Sequence, residues 1–482
     1  MNKQTGQATE IELPESKSSR DAIVLGGSLA GLLAARVLCD YFERVTLIER
    51  DSFPTSPEPR RGTPQANHVH ALMPQGRLIL EQLFPDLHKQ MMADGAPLID
   101  MASDVAWLTP QGWGVNFPSD LEVLAFTRPL LDLHVRRRLE ANPRVRILQG
   151  TEIVKLIDGH NDSIAGVVVR TTTTDAVETK LYADLVVDAT GRASRAPQWL
   201  SELGYPTVKE TTVNAFLGYA SRLYQTPEGF NADWKCAFVQ AAPPERKRGG
   251  ILFAVEGNRW LVTLIGGGRD YPPKDEVGFL DFARSLVVPV IYDAIKNATP
   301  LSEIKTHRGT ENRLRHFDAV ARQPLNFVAL GDAVCAFNPV YGQGMTVAAM
   351  GAMTLDSCLR KWNSKDQQFA RRFQRRLAKV VSAPWMLATS EDYRYRETEG
   401  GSASRVTRFM HRYMDQVLKV STFDPVVRHV LLKAFGMLVP PSALFQPKVS
   451  LRLIQETLAT AVRPKTPKHL VSGRPMVYQA AK

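Results

Sequence analysis

Cysteine is scarce. The chain of 482 residues holds four, Cys39, Cys236, Cys335 and Cys358, scattered and without a Cys-x-x-Cys pair. That argues against a disulfide framework or a thiolate zinc site, and for a reducing compartment. Long apolar runs are missing as well: no stretch reaches the roughly 18 uncharged apolar residues that a membrane-spanning helix needs. Residues 1–20 are mainly polar, lack the apolar centre of a secretory signal and read as a disordered lead-in. No internal repeat is visible, and no Lys/Arg block is interleaved with aromatics, so nucleic acid is not an expected partner. The expected location is the cytoplasm, with peripheral membrane association as the one membrane option.

What remains is ordinary for a globular protein: 44% apolar and 23% charged residues. The 60 basic residues against 49 acidic ones leave a net charge of +11, which suits an anionic cofactor or an anionic membrane surface. The length exceeds one simple core, so a large α/β domain with insertions, or two domains, is expected.

The chain is organised around Asp21-Ala-Ile-Val-Leu-Gly-Gly-Ser-Leu-Ala-Gly31 and the residues up to Val45-Thr-Leu-Ile-Glu49. Residues 22–25 read as a buried parallel strand. Gly26, Gly27 and Ser28 make a tight turn, and Leu29 and Ala30 lead to Gly31, which opens a helix smooth enough to lie on the sheet. A second strand, 45–48, ends at Glu49. A strand, a glycine turn, a helix, a strand and an acid about 20 residues on is the layout that seats a pyrophosphate on a helix N-terminus and a ribose hydroxyl on a carboxylate. Ser28 stands where the pattern has its second glycine, and a small side chain is tolerable there.

Beyond a proline-rich loop lies Arg60-Arg-Gly-Thr-Pro-Gln-Ala-Asn-His-Val-His70. In an extended chain His68 and His70 face the same way. They are either hydrogen-bonded residues of a polar loop or part of a loop that covers a cofactor ring; a metal site lacks a third ligand. Residues 78–90 predict an amphipathic helix and 106–114 a hairpin. A strand ends at Arg128, and Pro129 opens a helix at a position proline tolerates, which makes Arg128 a ligand candidate. Leu185-Val-Val-Asp-Ala-Thr-Gly191 again runs a buried strand into a glycine turn. From about 208 to 308 strand-like runs dominate (214–224, 235–242, 250–255 and 260–266), predicting an inserted antiparallel sheet. Its Tyr219, Arg222, Phe238, Phe253 and Trp260 either line an apolar pocket or form sheet core.

The second decisive stretch is Phe327-Val-Ala-Leu-Gly-Asp-Ala-Val-Cys-Ala-Phe-Asn-Pro-Val-Tyr-Gly-Gln-Gly-Met345. Asp332, at a strand end, can hold a sugar-like hydroxyl. Past Pro339, the amides of Gly342, Gly344 and Met345 at a helix start can face a partly anionic ring. The remainder reads as helical, with 383–400 as a loop. The apolar 426–445 segment is core, or a membrane-surface or substrate-entry element.

These three motifs, in this order, resemble the FAD-dependent monooxygenase superfamily that includes aromatic hydroxylases and squalene epoxidase. The resemblance implies that the turn at Gly26–Gly31 holds the FAD pyrophosphate and Glu49 the adenosine ribose. It implies that Arg128, Gly191 and the Gly331-Asp332 motif contact the rest of FAD, with Arg50, Arg61 and Gln65 placed beside it. Arg61-Gly-Thr-Pro-Gln with His68 and His70, Trp199-Leu with Leu-Gly-Tyr205, Pro384-Trp385 with Glu391-Asp392, and Gly344-Met-Thr-Val-Ala348 are similar to bacterial polyene epoxidases and hydroxylases. Cys335 stands where many hydroxylases carry His, and the two-tryptophan motif of flavin halogenases is absent, which sets that branch aside.

The fold implied is α/β: a Rossmann-like FAD-binding domain (21–207 and 309–362), an inserted antiparallel substrate sheet (208–308), a C-terminal helical cap (363–465) and a loose tail (466–482). The function implied is transfer of one oxygen atom from O2, through a flavin C4a-hydroperoxide, to an apolar small-molecule substrate by epoxidation or hydroxylation. Electrons would come from NADPH or NADH, directly or through a separate flavin reductase. Tyr219, Arg222, Phe238, His68 and His70 are the substrate-pocket candidates; no catalytic acid, base or nucleophile and no metal ligand is assigned. Rival readings are an FAD-dependent reductase of polyprenyl or other lipid-like double bonds, and a flavin-free binding protein on a degenerate fold.

Overall fold

The computed structural model describes residues 20–172, 176–362, 364 and 366–462. The lead-in up to residue 19, the centre of the Thr-rich turn and the tail 466–482 lie outside the described residues.

Five parallel strands form the first sheet, in the order Phe327–Ala329, Leu185–Asp188, Asp21–Leu25, Arg44–Ile48 and Val145–Leu148. Ala22, Ile23, Val24 and Leu25 are buried, as expected for a strand covered on both faces. In chain order the helices are α1 (Leu29–Leu38), α2 (Pro74–Leu83), α3 (Leu87–Ala93), α4 (Arg128–Glu140), α5 (Ala196–Glu202), α6 (Glu276–Arg284), α7 (Val290–Ile295), α8 (Gly344–Lys361), α9 (Phe369–Asp392), α10 (Arg405–Val420), α11 (Pro425–Phe435) and α12 (Pro447–Val462). The small residues Ala34, Ala35, Ala349 and Ala352 of α1 and α8 are fully buried in the core around this sheet.

The second large sheet has seven strands, in the order Lys305–His307, Gly218–Gln225, Arg259–Gly266, Arg248–Val255, Cys236–Val239, Val105–Thr109 and Gly112–Trp113. All pairs are antiparallel except Cys236–Val239 with Val105–Thr109. The hairpin predicted at 106–114 therefore joins this sheet, which draws strands from outside 208–308. The α/β fold expected from the sequence, with its antiparallel sheet and C-terminal helices, is the fold observed.

Four local expectations are corrected. The first helix opens at Leu29, not Gly31. The helix predicted over 78–90 is two helices, because Pro85 interrupts it and Asp86 takes φ 60°. The strand predicted over 214–224 divides at Phe216 (φ 51°); residues before it pair as Glu210–Val213 with Asn312–Arg315. The loop predicted over 383–400 is helical to Asp392, with Pro384 inside α9. A proline there forfeits a hydrogen bond at roughly 3 kcal/mol, which burial of Val381, Pro384 and Ala388 against the core offsets. Within 426–445, Val427, Val430, Leu431 and Leu444 are buried in the helical unit's own core, so the core reading of that segment holds. No described helix is long and apolar enough to cross a membrane.

Candidate functional site

The C-terminal ends of the strands Asp21–Leu25, Arg44–Ile48, Leu185–Asp188 and Phe327–Ala329 meet at one cavity of about 640 Å³, the place where open α/β sheets bind ligands. The three glycine turns pack on one another there. Gly26 (φ 95°) passes so close to the strand end that a Cβ would lie 2.6 Å from the Ala189 carbonyl oxygen, and a Cβ on Gly331 (φ 62°) would lie 2.6 Å from the Cβ of Ala30. Of the residues singled out from sequence, Gly26, Ser28, Leu29, Ala30, Glu49, Arg50, Gln65, Arg128, Gly191, Asp332, Pro339, Gly342, Gly344 and Met345 line the cavity, together with His68, His70 and Tyr219.

At one end Glu49 is 8% exposed and already engaged. Its Oε2 accepts from the Gly27 amide (2.7 Å) and from Arg60 Nη1 (2.9 Å), and its Oε1 accepts from the Asp51 amide (2.9 Å). Arg60 also donates to the Gly27 carbonyl at 2.9 Å and lies over the Phe53 ring. The acid and the glycine turn are thus one hydrogen-bonded unit.

Next to it begins α1. Ser28 has extended backbone (φ −87°, ψ 177°) and its side chain caps nothing; its Oγ instead accepts from Arg128 Nη2 at 3.1 Å. No left-handed conformation is needed at this position, so serine is at home. The first-turn amides of α1 have no intrahelical acceptor and receive no side-chain cap, which leaves an anion site at the cavity wall. Arg128, held by Asp132 at 2.7 Å, adds a fixed positive charge. Across the cavity, the Asp332 carboxylate accepts no hydrogen bond among the described residues, and burial pushes its pKa up. A ligand hydroxyl would satisfy it. These donors and this acceptor fit a dinucleotide such as FAD.

The other end is polar without being charged. His68 Nδ1 is 2.7 Å from Ser221 Oγ, itself 2.6 Å from Thr263 Oγ1. Burial, then the neighbouring His307, lower the His68 pKa to about 4. His70 Nδ1 donates to the His68 carbonyl at 2.9 Å, which leaves Nε2 of the neutral ring as an acceptor. Burial, then Arg128, hold its pKa at about 3. Tyr219 donates to Asn338 Oδ1 at 2.7 Å. Behind it Asp392, fully buried, accepts from Tyr341 (2.6 Å), Asn338 Nδ2 (3.1 Å) and Asn312 Nδ2 (2.6 Å). Burial nevertheless raises the Asp392 pKa to about 7. A link to the helical unit lies nearby. The Met73 amide donates to Thr346 Oγ1 (3.1 Å), a Cβ on Gly342 would meet the Met73 methyl at 2.7 Å, and the Gln75 amide donates to the Gly436 carbonyl (3.1 Å).

Five candidates stand off the cavity lining. Gly27 and Gly31 lie behind the wall, the first through its bond to Glu49, the second against the Gly26 carbonyl. Arg61 is exposed to solvent, and Arg60 takes the place beside Glu49. Arg222 is one residue from Ser221, so the strand's alternation turns it to the opposite face, where it meets Ser302 and Glu276. Phe238 stacks on Trp107, which in turn meets Phe435 of α11. Arg60, Arg192, Arg195, Trp199, His307 and Phe337 line the cavity and were not named as site residues from sequence. Arg192 directly follows the Gly191 turn and could have been included; nothing local marks His307. Among the described residues no cluster of His, Cys, Asp or Glu could hold a metal.

No family model matches the chain. Protein Rv3254 of Mycobacterium tuberculosis (strain ATCC 25618 / H37Rv) is 31% identical over 425 residues, covering 86% of this chain and 89% of its own length. Among solved structures, the flavin-dependent brominase Bmp2 matches with a TM-score of 0.63 at 14% identity, over 92% of this chain and 100% of that one. The myxobacterial chondrochloren halogenase CndH matches at 0.58 with 17% identity, over 88% and 98%. PqsL of Pseudomonas aeruginosa, described as a probable FAD-dependent monooxygenase, matches at 0.55 with 17% identity, over 78% and 98%. At these identities the structures speak to fold, and as a matter of fold the halogenases return to consideration. The chain belongs to the family of the mycobacterial protein Rv3254, on the fold of the FAD-dependent monooxygenase superfamily.

Proposed function

We propose that the protein is an FAD-dependent monooxygenase that transfers one oxygen atom from O2 to an apolar small molecule, by epoxidation of an alkene or by hydroxylation. The observation that carries this reading is the asymmetry of one cavity: an uncapped helix start, a fixed arginine and a free carboxylate at one end, neutral imidazoles and a phenol at the other. Bound FAD, reduced by NADPH or NADH directly or through a separate flavin reductase, would supply the activation of O2. The α1 amides and Arg128 would hold the pyrophosphate, Glu49 a ribose hydroxyl, Asp332 a further hydroxyl, and the amides at Gly344 and Met345 the flavin portion. His68, His70 and Tyr219 shape a site whose buried walls keep water out and whose polar groups carry no charge at neutral pH.

The test is turnover of a polyene under labelled O2 with reduced flavin supplied, run with and without bromide. Label in the product supports the proposal. Halide in the product places the chain among halogenating enzymes, and a saturated product without label moves it to the double-bond reductases. A purified chain that takes up no FAD overturns all three.

A further inference from the structure

The net charge of this protein is concentrated in one stretch of its sequence. Residues 401–482 hold 13 Lys and Arg against three Asp and Glu, a net +10 out of +11 for the whole chain. The 400 residues that carry the two sheets are close to neutral. All three of those acids are paired: Asp415 with Arg394, Asp424 with Arg452 and Glu456 with Lys419. Arg405, Arg408 and Arg412, which recur along the exposed face of α10, have no carboxylate partner among the described residues.

The same unit exposes large apolar side chains. On α12, Leu451, Ile454 and Leu458 are 58%, 55% and 64% exposed and recur at helical spacing on one face, while Val449 and Leu453 on the other face are buried. On α10, Phe409 and Val406 are 63% and 71% exposed beside the three arginines. The stack of Tyr413 on Phe445, with centroids 4.5 Å apart, joins α10 to the segment that enters α12. Exposed apolar side chains among guanidinium groups without a carboxylate partner, as on α10, are the pattern of helices that lie in a lipid headgroup layer, and α12, packed on α10, adds its apolar stripe.

We propose that α10 and α12 dock this protein on an anionic lipid bilayer, with Leu451, Ile454 and Leu458 entering the acyl boundary and Arg405, Arg408 and Arg412 meeting lipid phosphates. Two other occupants fit less well. A second copy would set net-positive surfaces against each other. A nucleic acid would leave the aliphatic stripe in water, since leucine and isoleucine offer no ring for a base to stack on. The proposal is independent of what the cavity binds.

The test is co-sedimentation of the full chain with vesicles of phosphatidylglycerol and phosphatidylcholine, and with phosphatidylcholine alone. Binding to the anionic vesicles is expected to exceed binding to neutral ones by about tenfold and to weaken with salt. The triple variant Leu451→Ser, Ile454→Ser, Leu458→Ser and the triple variant Arg405→Gln, Arg408→Gln, Arg412→Gln should each lose about tenfold, with unchanged circular dichroism. All six side chains are surface-borne, so folding is not at stake. Equal binding to both vesicle types, no binding, or variants that bind as the parent does would overturn it. So would a concentration-dependent dimer that the serine variant abolishes while vesicle binding stays absent.

Discussion

The two ends of the cavity solve the burial of polar groups in opposite ways. At the Glu49 end charges are kept, and Glu49 and Arg128 are paired: Glu49 takes an arginine and two amides, and Arg128 takes Asp132 and Ser28. At the His68 end the charges are suppressed: two imidazoles stay neutral well below pH 6, and the buried Asp392 titrates near 7. A paired end is rigid and selects an anion by position. A neutral end tolerates an apolar guest, because a buried unpaired charge would cost far more than a buried hydrogen-bonded dipole.

The sharpest way to break the comparison is at the glycine turn that is bonded to Glu49. Gly26→Val must put a branched side chain at φ 95° and within 2.6 Å of the Ala189 carbonyl, a strain of roughly 1–3 kcal/mol before any clash is counted. Loss of bound flavin from the purified variant, read from its visible spectrum, is expected.

The neutral end predicts opposed pH effects on stability. His68 and His70 have folded pKa values near 4 and 3, below the ordinary 6.5. Their contribution is complete above about 6.5 and is lost as the pH falls toward 4 and 3. Asp392 has its folded pKa raised from 3.8 to about 7, so its contribution is present below the ordinary carboxyl value and is lost as the pH rises through 7. Between about pH 4 and 7 the Asp392 loss opposes the gain from the two histidines, so the denaturant midpoint should rise more steeply over that range in Asp392→Asn than in the parent, and the two profiles should run parallel above pH 7. His68→Gln should relieve part of the acid-side loss.

The paired end predicts a smaller effect. Glu49→Gln keeps the shape but leaves Arg60 with Asp51, at 3.5 Å, as its acid, and FAD affinity should drop about tenfold, roughly 1.4 kcal/mol. Smallest of all is Ser28→Gly, which removes one hydrogen bond from Arg128 at 3.1 Å. A change of about threefold or less in flavin titration is expected, and a larger one would make Ser28 a ligand in its own right.

What could be read from sequence was what short-range pattern dictates. The strand, turn and helix from Asp21 to Leu38 are local, and so are the glycine turns that meet at the cavity. What could not be read depends on distant partners. Nothing in Arg60-Arg61 says which arginine turns toward Glu49. His307 reaches the cavity only because its strand pairs with Gly218–Gln225. Pro384 reads as a helix breaker until the core that covers α9 is known. The strand Val105–Thr109 has a near neighbour in Gly112–Trp113, but on its other side it pairs with Cys236–Val239, more than a hundred residues away.

The short segment before α2 has a mechanical reading. Met73 is tied by its amide to α8 and lies with its methyl on Gly342 at the cavity, while Gln75, two residues on, is tied to Gly436 past the end of α11. The helical unit and the cavity wall therefore share a strut only three residues long. A tilt of the unit as a body would act on Met73, and through it on the cavity wall at Gly342.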